Sequence, residues 1–367
     1  MKAKYNVGII GATGMVGQRF ITLLADHPWY DIKALAASPR SAGKAYKDAV
    51  GKKWCMKGDI PENVADMTVM NAQDDVEKIA AMVDFVFCAV DMKKDDIKAL
   101  EYAYAKAECP VVSNNSAHRH TPDVPMIIPE INPQHLDIIP SQRRRLGTKR
   151  GFVAVKSNCS LQSYLPAMAV INRKYPIGRA LVTTYQAISG AGKTFETWPE
   201  MQDNLIPYIG GEENKSEVEP NKILGHIENG EIVPSSELEI ECQTYRVPVS
   251  DGHTAAIFFS FKDGIEKPSV DEIQDMWRKY EGEPQKLGLP HAPKQFIYVY
   301  TEENEPDMPQ IKTAREIDGG MAISCGRLRK SVQYDYKMVS MSHNTLRGAA
   351  GGAVLLAELL TAKGYMD

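Results

Sequence analysis

The chain of 367 residues is marked first by what it does not contain. No apolar run reaches the length that spans a bilayer, so no membrane-spanning helix is expected. The six cysteines, Cys55, Cys88, Cys109, Cys159, Cys242 and Cys325, include no C-x-x-C pair. The eight histidines form no cluster with cysteine or carboxylate at zinc-like spacing. Free thiols and no metal are therefore expected. Charge of one sign is also missing: 43 Lys and Arg face 47 Asp and Glu, a net charge of −4. That balance gives no general reason to expect nucleic acid or an anionic membrane as partner. The one basic stretch, Ser141 to Arg150, lacks interleaved aromatics and reads as a solvated loop. No repeat or low-complexity tract occurs, and no apolar signal segment precedes the first strand. A cytoplasmic protein is the expectation.

What remains is a chain of ordinary globular composition, long enough for two domains. Short apolar strands at Tyr5–Ile10, Ile32–Ala37, Asp84–Val90, Pro110–Ser113 and Pro125–Ile128 alternate with helical patterns at Met15–Asp26 and Lys94–Ala107. This alternation predicts a parallel sheet covered by helices. After about residue 158 the pattern becomes β-rich, with runs at Leu181–Ser189, Leu238–Pro248, Thr254–Lys262, Gln295–Tyr300 and Met321–Val339. A helix is expected over Val270–Tyr280. A separate α+β domain with a mostly antiparallel sheet follows from that reading. The stretch Thr345–Gly364 is apolar nearly all round, so it is a buried helix. The expected division is 1–158 for the first domain, with 345–367 returning to it, and 159–344 for the second.

Gly11-Ala-Thr13-Gly14-Met15-Val16-Gly17 follows the first strand and opens the first helix. This G-x-x-G-x-x-G spacing is a variant of the dinucleotide fingerprint, which makes the first domain Rossmann-type. Gly11 would allow the tight turn, Gly14 the approach of pyrophosphate, and Gly17 close helix–strand packing. An NAD site usually carries an acidic residue after the second strand. Here Ser38, Arg40 and Ser41 occupy that place, a set suited to a 2′-phosphate, so NADP is preferred.

Cys159 lies between an expected strand, Gly151–Val155, and an expected helix, Leu161–Ile171. A helix N-terminus there would lower the thiol pKa. His253, beside an Asp-Gly turn, could serve as general base near pH 7. A nicotinamide cofactor with an activated cysteine points to interconversion of aldehyde and acyl group through a thioester.

The strings GATGMVGQ, ASPRSAGK, SNNSAHR, IPEIN, SNCS, YQAISGAGK, IPYIGGEENK, RVPVSDGHT and NTLRGAAGG occur in this order. Over nearly its full length the chain resembles the aspartate-β-semialdehyde dehydrogenases, and most of all their archaeal and fungal-type branch. The resemblance implies Cys159 as nucleophile and His253 as acid/base. It implies Arg119 and Lys215 for phosphate, Arg246 for the substrate carboxylate, Glu212 for its ammonium, and Gln186 to hold the substrate. Asn158 and the Cys159 amide would stabilise an oxyanion, while Asn344 and the Ser189-Gly190 backbone would touch the cofactor. The implied reaction is the NADPH-dependent reductive dephosphorylation of L-aspartyl-4-phosphate, in biosynthesis of lysine, threonine, methionine and isoleucine. A catalytic and dimerisation role for the second domain, and a homodimer or homotetramer, are implied with it. The rivals are reductases of N-acetylglutamyl phosphate or malonyl-CoA, and a non-catalytic NADP-binding protein. One departure is His343, where the family commonly has an acidic residue.

Overall fold

The computed structural model describes residues 2, 4–301 and 309–367. Its first sheet contains β1 (Tyr5–Ile10), β2 (Tyr30–Ala37), β3 (Met70–Asn71), β4 (Phe85–Cys88), β5 (Val111–Ser113), β6 (Met126–Ile127) and β7 (Val153–Lys156). All pairings are parallel, in the order β3-β2-β1-β4-β5-β7-β6. The order reverses between β1 and β4, and a crevice opens beyond the carboxyl ends of strands at such a switch point. Helix α1 (Met15–Leu24) leaves from there, with Gly14 as its N-cap. Edge strand β3 lay outside the sequence expectation, because two residues carry no periodicity.

The second sheet contains β8 (Ile177–Gln186), β11 (Glu239–Arg246), β12 (His253–Phe261), β13 (Ile297–Val299), β14 (Ile323–Lys330) and β15 (Tyr336–Ser342). Strands β9 (His226–Glu228) and β10 (Glu231–Val233) form a separate hairpin. The order is β11-β8-β12-β15-β14-β13. Here the expectation of a mostly antiparallel sheet is corrected: the sheet is mixed. The β8–β12, β12–β15 and β14–β15 ladders are antiparallel, whereas β11–β8 and β13–β14 are parallel. Both parallel pairs are joined by long connections, and a crossover returns a strand in its original direction. Strand-forming patterns separated by such stretches do not encode direction.

Helix α2 (Lys94–Lys106) covers the first sheet, and α3 (Leu165–Asn172) packs against α5 (Val270–Lys279). Between these, α4 (Glu212–Ile223) lies on β11. The last helix, α6 (Ala350–Ala362), is buried from Ala350 to Thr361 and packs on α1, β5 and β7. Its apolar residues share a core with Tyr5, Val7, Phe20 and Phe87. The basic stretch is not a loop: residues Ile139–Leu146 are helical and end at Gly147, whose φ is 72°. Arg143 donates to Arg150 O and Tyr365 O and so fastens backbone, while Arg145 pairs with the Asp123 carboxylate.

Candidate active site

Strand β1 ends at the cofactor loop. Gly11 has φ 92°, and a Cβ there would lie 2.2 Å from Ala89 O. A Cβ on Gly17 would lie 2.2 Å from Gly11 O. Both glycines are therefore required by backbone packing. Gly14 is not: the nearest atom to a Cβ is 3.6 Å away, so its bare backbone faces open space. That is the arrangement a pyrophosphate needs at a helix N-terminus. Ser38, Arg40 and Ser41 form a turn after β2, with Ser41 N donating to Ser38 O at 2.9 Å. Arg40 is exposed and has no ion-pair partner among the described residues. These residues fit an NADP molecule.

Two adjoining cavities open beside this loop, sharing Met15, Arg19, Ser189 and Gly192. The larger, about 740 Å³, includes Thr13, Gly14, Trp54 and Cys55. The smaller, about 500 Å³, is lined by Cys159, Asn158, Arg119, Glu212, Lys215, Lys156, Val16 and Asn344. Asn344 is fixed by two bonds, Gly252 N to its Oδ1 at 2.7 Å and its Nδ2 to Ser189 Oγ at 2.9 Å.

Cys159 Sγ lies 3.5 Å from His253 Nε2 although 94 residues separate them. His253 Nδ1 accepts from Ala187 N at 3.1 Å. The neutral ring therefore carries its proton on Nε2, facing the sulfur. Burial, reinforced by Arg246, pushes His253 down to about 3. In this arrangement the neutral ring presents Nε2–H to the sulfur. The helix expected after Cys159 differs. A 3₁₀ turn, Leu161–Ser163, intervenes before α3, so no α-helix begins at the sulfur. Burial, then Glu212, raises the thiol pKa, against Lys156, Arg119 and Arg246.

Asn158 is a scaffold. Its N–H donates to Glu219 Oε2 at 2.8 Å, its Nδ2 to Glu212 Oε2 at 3.0 Å, and its Oδ1 accepts from Ser160 N at 2.7 Å. Its polar groups are thus engaged by the protein. Arg119 pairs with Glu219 Oε1 at 2.9 Å, and its Nε has no partner. Lys215 meets Glu212 at 2.5 Å. Burial pushes the Glu212 carboxyl up, but Lys215 and Asn158 outweigh it and hold it below the ordinary glutamate value. Arg246 donates to Ala187 O at 2.7 Å and, with His253, lies directly behind Gly190. A Cβ on Gly190 would sit 2.8 Å from the Arg246 guanidinium. Gln186 bonds Thr184 Oγ1 at 3.2 Å and is not brought onto the wall of either cavity.

Two residues of the cluster were missed. Glu219 stands seven residues after Glu212 on α4, so helical spacing could have placed it with Lys215. Lys156 is a charge ending a buried strand, a pattern violation visible in the sequence.

His27, His291 and Glu358 form the one group among the described residues that could hold a metal by proximity. The bonds argue otherwise. His27 Nδ1 accepts from Trp29 N, so its Nε2 carries the proton donated to Glu358 Oε1 at 2.9 Å. A metal ligand needs that nitrogen bare.

Cofactor loop and cysteine–histidine pair define a nucleotide-dependent enzyme of the semialdehyde dehydrogenase class. The family models for the semialdehyde dehydrogenase NAD-binding domain and dimerisation domain match residues 6–139 and 168–347. The chain is 40% identical to the aspartate-semialdehyde dehydrogenase of Aspergillus fumigatus, over 99% of each chain. It is 42% identical to that of Methanothermobacter thermautotrophicus, covering 97% of this chain and 98% of the other. The crystal structure of the Candida albicans enzyme with NADP superposes with a TM-score of 0.88 at 40% identity, over 99% of both chains. The chain belongs to the aspartate-semialdehyde dehydrogenase family.

Proposed function

We propose that this protein reduces L-aspartyl-4-phosphate to L-aspartate-4-semialdehyde and phosphate with NADPH, in the cytoplasm, as a step of amino-acid biosynthesis. The observation that carries this reading is Cys159, on the wall of a cavity supplied with Arg119, Lys215 and Glu212, with His253 buried behind it at 3.5 Å from the sulfur. Arg119 and Lys215 offer cations to a phosphate, Arg246 a fork to a carboxylate, and Glu212 an anion to an ammonium. The Cys159 thiolate attacks the acyl carbon. Phosphate leaves, taking up a proton, and a thioester remains. The Cys159 N–H faces the carbonyl oxygen as charge builds there. When bound, the nicotinamide supplies a hydride to the thioester carbon. The thiohemiacetal alkoxide then collapses and expels the sulfur, which His253 Nε2–H receives with a hydrogen bond.

Residues 1–158 with 345–367 act as the cofactor domain in this reading. Residues 159–344 act as the catalytic and dimerisation domain of a homodimer or homotetramer. The test is phosphate-dependent reduction of NADP with aspartate semialdehyde. Activity that persists in Cys159→Ala would remove the thioester from the mechanism.

A further inference from the structure

Glu101 is a buried carboxyl that the reaction above does not use. It lies on α2 and is 0% exposed. His118 Nε2 is 3.9 Å from its Oε2, but burial keeps that ring neutral, and Oε2 has no hydrogen-bond partner. Oε1 carries two bonds instead. It accepts from Ser113 Oγ at 2.5 Å and from Asn115 Nδ2 at 2.9 Å.

These bonds fix which way the Asn115 amide faces. Ser113 Oγ accepts from Asn115 N at 3.0 Å, so its own proton goes to Glu101 Oε1. Oε1 is therefore an acceptor, and only the nitrogen of the amide can face it. This holds in either charge state. Burial raises the Glu101 carboxyl, and a proton there would sit on the unpartnered Oε2. The second Nδ2–H of Asn115 goes to Cys88 Sγ at 3.4 Å. Both donors of Asn115 are taken by the protein, while its Oδ1 accepts from no described residue. Asn115 lines the smaller cavity with Asn114, Ser116 and Arg119.

An acceptor suits few of the groups that enter this cavity. Phosphate and carbonyl oxygens are acceptors themselves, and the substrate ammonium belongs to Glu212 in the reading above. The donors that remain are the ribose hydroxyls and the carboxamide NH₂ of the nicotinamide nucleoside. Asn344 Oδ1 is not free for them, since it accepts from Gly252 N. We infer that Asn115 Oδ1 is an acceptor for the nicotinamide nucleoside of NADP, and that Glu101 is the positioning residue that holds Asn115 in this orientation. The inference takes from the proposed reaction only the ammonium on Glu212.

The experiment is calorimetric titration of the full-length chain, without substrate, by NADP and by adenosine 2′,5′-bisphosphate, which lacks the nicotinamide nucleoside. Asn115→Leu should weaken NADP roughly tenfold, the loss of one hydrogen bond, and leave the bisphosphate within about twofold. Glu101→Leu should show the same selective loss. Glu101→Gln, which keeps an oxygen for Ser113 and Asn115, should recover most of it. The double variant Glu101→Leu with Asn115→Leu should bind NADP within about twofold of Asn115→Leu alone, because Glu101 acts through Asn115. Unchanged NADP affinity in Asn115→Leu overturns the inference, as does an equal loss of both ligands or a Glu101→Gln as weak as Glu101→Leu. If Glu101→Leu does not fold, Asn115→Leu decides. No titration contains substrate, and phosphate-dependent turnover tests the proposed reaction separately, so the two failures are distinguishable.

Discussion

At Cys159 a single sulfur meets opposing influences: burial and Glu212 disfavour its charge, and three nearby cations favour it. Cys159→Ser should retain substrate binding and lose nearly all turnover, because an alkoxide is far harder to form than a thiolate. Isothermal titration alongside steady-state kinetics checks both halves; near-normal turnover would refute the mechanism. His253→Ala should lower kcat roughly a hundredfold with little change in KM, since a donor to the reacting atoms is removed. An effect confined to KM would reassign it to binding. At the far end of the cofactor crevice, Arg40→Ala should raise the KM for NADP much more than for NAD. Equal changes would mean that the turn after β2 does not read the 2′-phosphate. His343 is tied into its own turn. Its Nδ1 accepts from Thr345 N and Leu346 N, each at 3.3 Å. Burial holds it at about 4, so it stays a neutral acceptor.

Among the elements, the turn between β15 and α6 has the most to hold. It carries Asn344 and Gly348, and it is pinned by Arg347, which is 1% exposed. Arg347 meets Glu130 through two bonds of 2.6 and 2.5 Å and Gln162 Oε1 at 3.0 Å. Glu130→Ala would strand that guanidinium without a counter-charge. Breaking a buried pair in this way costs about 3–5 kcal/mol. Urea unfolding should show the loss, and NADP binding should weaken as the turn that carries Asn344 loosens. A change below about 1 kcal/mol would show that water replaces the pair readily. Gly17→Ala makes a similar test at α1. Its Cβ would meet backbone at Gly11 and Ala12, which cannot rotate away, so both stability and cofactor binding should fall.

For the whole molecule, buried neutral histidines set the response to acid. His118, His253 and His343 are buried and lowered to about 4, 3 and 4, chiefly by desolvation. His27 and His135 are lowered by the same cause. Folded values below the unfolded value mean that the unfolded chain binds more protons over the interval between them. The stabilisation is complete above about pH 6.5 and is lost as pH falls toward the folded values. Each such histidine contributes a slope approaching about 1.4 kcal/mol per pH unit there. The urea midpoint should therefore drop steeply between pH 7 and 5, before most carboxylates titrate. A flat profile in that interval would show these histidines charged in the folded state.

Local order was readable from the chain because it depends on neighbours. Strand β1 begins and ends where its apolar run does, Gly11 and Gly17 mark the turn and the close packing, and the apolar stretch after Thr345 is the buried α6. Cys159, His253, Arg119, Glu212, Lys215 and Arg246 could be named because whole strings, rather than single residues, carry the family resemblance. Strand direction in the second sheet was not readable, since long connections decide it. Nor was the first turn of the helix after Cys159, where a 3₁₀ turn, Leu161–Ser163, precedes Leu165–Asn172. Protonation was decided only by the tertiary structure. His253 is an Nε2–H donor because the Ala187 N–H reaches its other nitrogen from a different strand end. Lys156 is brought down to about 7 because folding strips it of water and sets Arg119 beside it. Propensity and spacing are properties of the chain; desolvation and the meeting of distant charges exist only once it has folded.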